Sequence, residues 1–451
     1  MTAFVVQPAR SCLHGTVTVP GDKSIGHRAL LFSLLTQEPV RILGLGDGAD
    51  NGRSAKAIAA LGAQVSRQDQ AVCVRGTGLA GMRAPSAALD CGNSGTTIRM
   101  LCGLLAGAPF ATRLVGDESL SKRPMRRVIE PLCTMGARID GPRDARGDVV
   151  PPLTVGPAAG PLTPIQYELP MASAQVKTAL TLAALYTRGV SSLIEPGPSR
   201  DHTERMLGFL GAPVHSGVGA DGRPCTTIDT LRWDGRLRGG DLEVPGDPSS
   251  AAFLVVAALL AGAQEVRIEN VCINPTRTGF LDVLEAMGAA VEQQPRHGGA
   301  EPTADLVVRG AAPALKATEI SGSLVVRSLD EIPILAVVAA CAHGTTLVRQ
   351  AEELRVKESD RIATTCAMLR AFGVSCEERP DGFAVEGSSG APLGAGAQVD
   401  AAGDHRIAMA GAIAALRAAG PAHIGDADNV ATSYPGFVDA LAHLGAAIAK
   451  V

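Results

Sequence analysis

Six times along this 451-residue chain a bulky hydrophobic residue is followed by glycine and then by alanine or valine: Leu61-Gly62-Ala63, Met135-Gly136-Ala137, Leu210-Gly211-Ala212, Met287-Gly288-Ala289, Phe372-Gly373-Val374 and Leu444-Gly445-Ala446. The glycines are spaced by 74, 75, 77, 85 and 72 residues. Each tripeptide closes a helical pattern, so the glycine reads as a left-handed helix C-cap leading into a strand. Upstream of each exit stands an entrance, a small or polar turn opening an Ala/Leu-rich helix: GDKSIGHRALL, GNSGTTIRMLCGLL, MASAQVKTALTLAAL, GDPSSAAFLVVAALL, DEIPILAVVAA and GDHRIAMAGAIAAL. β-like segments such as 16–19, 71–74, 241–244 and 346–348 lie between the helices. Such units are too large for ankyrin-type or leucine-rich solenoid repeats, and the chain is too long for one core. The pattern predicts an α/β protein of two domains, each with three repeated units.

The fourth entrance nearly repeats the first. VPGDKSIGHRALLFSLL, residues 19–35, returns as VPGDPSSAAFLVVAALL, residues 244–260. Pro-Gly lets a chain change direction, which places crossovers near Pro20 and Pro245. The predicted domains are therefore a discontinuous one, 1–20 with 245–451, and an inserted one, 21–244. Lys23, His27 and Arg28 in the first copy stand where the second has Pro248, Ala252 and Phe253.

With 52 glycines and only 3% aromatics, the core must consist of small aliphatics in close contact. The formal charge of -4 gives no basic footprint for nucleic acid. The ten cysteines form no CxxC pair, and reduced thiols in a cytoplasm are expected. The N-terminal MTAFVVQPARSCLHG lacks the features of a signal peptide, and runs such as AAFLVVAALLAGA are shorter than the ~18 residues of a spanning helix. An intracellular protein with no membrane partner is expected.

Helix N-termini attract anions through unpaired amides and the helix dipole. In the first helix Lys23, Ser24, His27 and Arg28 form a basic first turn that opposes the dipole; it is either a solvated face or compensated by a bound anion. A P-loop is excluded, because Asp22 separates Gly21 from Lys23 and the second glycine is missing. GNSGTTIR sets Thr96 and Arg99 one turn apart, and Lys122, Arg123, Arg126 and Arg127 crowd the next loop. Ser173 is a candidate N-cap with Gln175 beside it, and Ser199 or Asp201 a cap beside Arg200. Asp330 reads as the cap of IPILAVVAA, a position from which it could accept a hydroxyl proton. Lys357 and Arg361 read as a like-charge i, i+4 pair, eased by Glu358 and Asp360, and His405 and Arg406 follow Asp404. HExxH, paired-Cys and GxSxG patterns are absent. The composition suits a phosphorylated, carboxylated small substrate and general acid-base chemistry.

Together PGDKSIGHRALL, GNSGTTIR, KRPM, SAQVK, RDHTE, NPTR, LRVKESDR and GDHRIAM closely resemble the 5-enolpyruvylshikimate-3-phosphate synthase family of enolpyruvyl transferases, over essentially the whole chain and in the family's order. The resemblance implies two domains of three βαβαββ units, an inverse α/β barrel-like fold closing around a cleft. It implies transfer of the enolpyruvyl group of phosphoenolpyruvate to the 5-hydroxyl of shikimate 3-phosphate, with release of phosphate through a tetrahedral intermediate, by a cytoplasmic monomer with neither metal nor organic cofactor. Lys23, Asp330 and Glu358 match catalytic positions: Lys23 in proton transfer, Asp330 at the attacking hydroxyl and Glu358 near the methylene proton. Lys23, Ser24, Arg28, Ser173, Gln175, Arg200, Asp330 and Lys357 match binders of shikimate 3-phosphate. Lys23, Asn93, Gly95, Arg123, Gln175, Lys357, Arg361 and Arg406 match positions around phosphoenolpyruvate.

This chain departs from some members at Thr432, where they carry a lysine. Its motif forms resemble the subgroup often tolerant of glyphosate, whereas Gly95 leaves room for that inhibitor, so intermediate sensitivity is expected. Two rival readings fit the chain less well. A sister enzyme acting on UDP-N-acetylglucosamine would need a loop cysteine that GDESLSKRPM lacks, and a non-catalytic repeat scaffold would leave the cationic helix starts unexplained.

Overall fold

The computed structural model describes residues 2–310 and 314–451. They form six four-stranded sheets that share one strand order. In each sheet a parallel pair is extended by two antiparallel strands, as where Leu89–Asp90 runs beside Thr112–Val115, then Leu153–Gly156 and Arg138–Asp140. This is six copies of one βαβαββ unit.

All six predicted glycines adopt positive φ, from +73° at Gly373 to +108° at Gly62. In every copy the amide of the residue after glycine reaches back five residues, as from Ala63 to the Ile58 carbonyl at 3.0 Å and from Ala446 to that of Leu441 at 3.0 Å. This is the 6→1 bond of a Schellman cap, and it ends the second, more exposed helix of each unit.

Contacts divide the chain into two compact units, residues 1–20, 245–298 and 302–451, and residues 21–244 with 299–301. Each buries three first helices along nearly their whole length. In the second unit these are Lys23–Leu34, Gly95–Leu105 and Ala174–Ala184. In the first they are Pro248–Ala261, Ile332–Cys341 and His405–Ala415, which pack on one another. Small residues allow close approach: a Cβ on Gly103 would lie 2.0 Å from the Ala179 carbonyl oxygen of the neighbouring helix.

Three strands pair far from their chain neighbours. Leu13–Thr18 precedes the helix Lys23–Leu34 in sequence but pairs in parallel with Ala263–Cys272. Conversely Gly240–Glu243 pairs in parallel with Pro39–Leu43. Each VPGD turn thus follows a strand of one unit's sheet and opens a helix of the other unit. At both turns glycine is required for space, since a Cβ on Gly21 would meet the Gly44 oxygen at 2.0 Å and one on Gly246 would meet Val19 Cγ2 at 2.7 Å. The N-terminal strand Phe4–Val6 completes the sixth sheet, between Ala422–Gly425 and Ile448–Lys450. Among the described residues no helix is long and apolar enough to cross a membrane.

Candidate functional site

In the unit 21–244 the polar residues gather at the starts of the three buried helices. Asp22, fully buried, caps the first by accepting from the Ile25 amide at 2.9 Å. Its carboxylate supplies compensation for the dipole-opposing cations that the sequence left to solvent or an anion. Lys23 Nζ lies 3.3 Å from Asp50 Oδ2, with the lysine side chain 40% exposed. The Ser24 hydroxyl faces Arg200 Nη1 at 3.5 Å.

Arg28 turns inward and is 2% exposed. It donates to Thr203 Oγ1 at 2.8 Å, to Thr178 Oγ1 at 3.0 Å and to the Ser24 carbonyl at 2.9 Å. Burial lowers it to about 10, so it stays charged at neutral pH. His27, also buried, bonds to Ser54 at 2.8 Å. Burial brings it down to about 3 and keeps it neutral.

Ser94 caps the second helix through the Thr97 amide at 3.1 Å. Beside it, Arg99 donates to Gln175 Oε1 at 2.7 Å and Gln175 donates to Thr96 Oγ1 at 2.9 Å. Arg123 donates to Asn93 Oδ1 at 2.5 Å, and Asn93 to Asp117 at 2.9 Å. Arg127 reaches the Met171 sulfur. Gly95 lies under this cluster, where a Cβ would be 2.7 Å from Arg99 Nη1 and 3.3 Å from Arg123 Nη1. Burial, then the charges of Arg127 and Arg123, push Arg99 down to about 10. Among the described residues no carboxylate forms an ion pair with Arg99, Arg123 or Arg127. A helix N-terminus facing three arginines that lack counter-charges is built for an anion.

At the third helix Ser173 holds the N-cap position, but its side chain makes no cap bond. Asp201 holds the cap position of His202–Phe209 and likewise makes no side-chain cap bond, receiving Arg205 Nε at 2.8 Å instead. The predicted capping by Ser173 and by Asp201 is therefore corrected at the side chain. Beneath them Lys177 sits between Glu195 and Glu204 at 2.6 and 2.7 Å, all three buried.

The other unit carries a second set. Asp330 is not a cap: it lies in the short turn Leu329–Glu331, and Glu331 takes the position before the helix. The Asp330 carboxylate accepts from Arg361 at 3.3 Å, and its carbonyl accepts from Arg406 at 3.0 Å. Nor do Lys357 and Arg361 share a helix, because Lys357 ends the turn Glu352–Val356 and Asp360 caps the helix that Arg361 begins. Lys357 pairs with Glu353 at 2.7 Å.

Arg361 is 1% exposed and contacts three carboxylates, Asp404 at 2.8 Å, Glu358 at 2.5 Å and Asp330 at 3.3 Å. Burial raises Glu358, but Arg361, His405 and Arg406 outweigh it and hold the carboxyl at about 2. Asp404, fully buried, caps the helix His405–Ala415 through the Arg406 amide at 2.9 Å. The Thr432 hydroxyl donates to the Asn429 carbonyl at 2.7 Å.

The positions named from sequence thus fall into two sets. Lys23, Ser24, Arg28, Asn93, Gly95, Arg123, Ser173, Gln175 and Arg200 lie in one unit, and Asp330, Lys357, Glu358, Arg361 and Arg406 in the other. Sequence reasoning assigned no role to Arg99, Arg127, Thr178, Thr203 and Asp404. Arg99 had a visible signal, since it lies one helical turn after Gly95 and so shares its face.

The EPSP synthase (3-phosphoshikimate 1-carboxyvinyltransferase) family model matches residues 8–441. The chain is 49% identical over 449 residues to the 3-phosphoshikimate 1-carboxyvinyltransferase of Alkalilimnicola ehrlichii, covering 99% of this chain and 96% of that one. With the enzyme of that name from Geobacter sulfurreducens it shares 46% over 438 residues, covering 97% and 98%. An EPSP synthase structure from Acinetobacter baumannii superposes with a TM-score of 0.89 at 38% identity over 100% of both chains. The enolpyruvyl transferase NikO from Streptomyces tendae, at 21% identity and a TM-score of 0.76 over 100% of this chain and 99% of its own, shares the fold. The fold of six βαβαββ units thus has its counterpart in solved structures, and the chain belongs to the EPSP synthase family.

Proposed function

We propose that this chain is a 3-phosphoshikimate 1-carboxyvinyltransferase, joining the carboxyvinyl group of phosphoenolpyruvate to the 5-hydroxyl of shikimate 3-phosphate with release of phosphate. The observation that carries the reading is the group of Arg99 and Arg123 over Gly95 with Arg127 acting on Arg99, which among the described residues holds three positive charges in no ion pair with a carboxylate. A substrate with a phosphate and a carboxylate supplies the missing charge.

In this reading Ser24, Ser173, Gln175, Arg200 and Lys357 hold shikimate 3-phosphate, and Arg28 acts through Ser24, whose carbonyl it grips. Lys23, Asn93, Gly95, Arg123, Gln175, Lys357, Arg361 and Arg406 surround phosphoenolpyruvate. Asp330 takes the hydroxyl proton as oxygen attacks C2, while Lys23 delivers a proton to the methylene carbon. Glu358, held ionised, then takes a methyl proton as phosphate leaves. The enzyme works as a cytoplasmic monomer, without metal or organic cofactor.

The test is phosphate release from phosphoenolpyruvate with shikimate 3-phosphate or UDP-N-acetylglucosamine as acceptor. Release with the shikimate ester alone is expected. Release only with the nucleotide sugar, or with neither, overturns the reading.

A further inference from the structure

We propose that Cys366 and Cys376 form a dithiol that closes to an intramolecular disulfide, a modification site away from the helix starts described above. Their Sγ atoms are 3.0 Å apart. Cys366 is buried in the helix Arg361–Ala371, and Cys376 opens the strand Cys376–Arg379, 6% exposed. A disulfide needs about 2.05 Å between sulfurs, so closure requires roughly a further 1 Å of approach.

The surroundings favour thiolate chemistry. Arg370 donates twice to the Cys376 carbonyl, at 3.1 and 2.6 Å, which sets a guanidinium beside the pair. A nearby cation stabilises the attacking thiolate. The strand Cys376–Arg379 gives access, because it lies at the edge of its sheet and, among the described residues, pairs with Gly382–Glu386 alone. Folded chains open locally, and opening at the Cys376 end of this strand exposes the thiol to an oxidant.

With a small disulfide such as oxidised glutathione as oxidant, the Cys376 thiolate attacks one sulfur and expels a glutathione thiolate, giving a mixed disulfide. Cys366 loses its proton to solvent, attacks Cys376 Sγ and expels the second glutathione. Two thiols are oxidised, one external disulfide is reduced to two thiols, and the electrons balance.

The bond would fasten the helix to the edge strand from behind. The far end of that strand is already held, since Arg355 bonds the Arg379 carbonyl at 2.6 Å, Glu378 at 3.0 Å and Asp360, the cap before Arg361, at 2.7 Å. A cross-link between 366 and 376 therefore closes a rigid loop behind the turn that bears Lys357 and Glu358.

The experiment equilibrates the full chain in glutathione buffers of rising oxidation, traps free thiols by alkylation and maps the peptides by mass. A cross-linked pair holding Cys366 and Cys376, lighter than the two reduced peptides by two hydrogens, is expected, together with a melting transition higher than that of the reduced protein. Neither change should occur in Cys366→Ser or Cys376→Ser. The exposed Cys12 and Cys133 report that the oxidant is active. If they take up glutathione while Cys366 and Cys376 stay free, or carry only glutathione, the proposal fails. Mapping the wild-type chain decides this even if a serine variant does not fold.

Discussion

At the helix Lys23–Leu34, Asp22 caps the Ile25 amide; at Pro248–Ala261, Asp247 caps the Ser249 amide at 2.8 Å. Beyond the caps the two frames diverge. In the second, the Ser249 hydroxyl bonds Glu331, and Arg277 donates to Ser249 at 2.8 Å and to Asp247 at 3.1 Å. Arg277 and Glu331 are 3% and 1% exposed, so this polar cluster is closed on itself. The first frame buries Arg28 in a comparable way but leaves Lys23 open to solvent. Sequence comparison suggested that the second copy had lost its cations. It instead receives one from NPTR, and what distinguishes the first copy is a cation left exposed.

The largest effect expected from that difference is on turnover. Lys23→Met removes an exposed charge from a frame whose twin holds proline at that position, so the fold should survive. Turnover in the phosphate-release assay should fall by roughly 10²–10⁴-fold, the size of a lost proton-transfer group. Unchanged turnover would return Lys23 to the role of a surface charge. Arg277→Met should do the reverse, because it strips a buried cation from Asp247 and Glu331. Breaking such a cluster costs about 3–5 kcal/mol, read as a lower urea midpoint. A variant as stable as the parent would show that the second frame does not depend on its closed cluster.

How much of this was legible in the sequence follows from the range of each interaction. Gly62 and its five counterparts were readable because a Schellman cap is local, set by a glycine and the residues within one turn. The strand partners of Leu13–Thr18 and Gly240–Glu243 were not, since the crossovers read near Pro20 and Pro245 assign these strands to domains but nothing within either strand specifies a partner about 200 residues away. The same limit applies within the site. Asp22, Asp360 and Asp404 serve as caps in the folded protein, whereas Ser173 and Asp330 occupy similar sequence positions and do not. In LRVKESDR Arg361 reads as the like-charge neighbour of Lys357, and only the fold brings Asp404 and Asp330 to it and buries it.

A smaller contrast separates the two helix layers. A Cβ on Gly103 would meet a backbone oxygen, that of Ala179, at 2.0 Å, which cannot yield unless a helix moves. One on Gly411 in the other unit would meet Ile424 Cδ1 at 3.2 Å, the tip of a flexible side chain. Gly103→Ala should destabilise by about 1–3 kcal/mol, as overpacking does. Gly411→Ala should lie within about 1 kcal/mol of the parent, helix propensity offsetting the contact. Equal melting shifts for both variants would remove the distinction between the layers.

The smallest effect lies at His27, whose twin is Ala252. Burial lowers the imidazole from 6.5 to about 3, against the raising influence of Asp50 and with Lys23 and Arg28 acting in the same direction as burial. The unfolded chain therefore takes up this proton first as pH falls. The stability that the neutral ring contributes is complete above pH 6.5 and is lost progressively as pH drops from there toward 3. The slope approaches about 1.4 kcal/mol per pH unit, so at pH 5.5 the loss is about 1 kcal/mol. His27→Ala, which restores the residue of the twin frame, removes one of the two partners of Ser54, leaving Thr97 at 3.1 Å, and lowers stability at neutral pH. Its unfolding free energy should nevertheless fall less steeply than that of the parent between pH 6.5 and 5.5. Parallel slopes across that interval would mean that His27 protonates in the folded chain, and the first frame would then hold a titrating cation that its twin cannot.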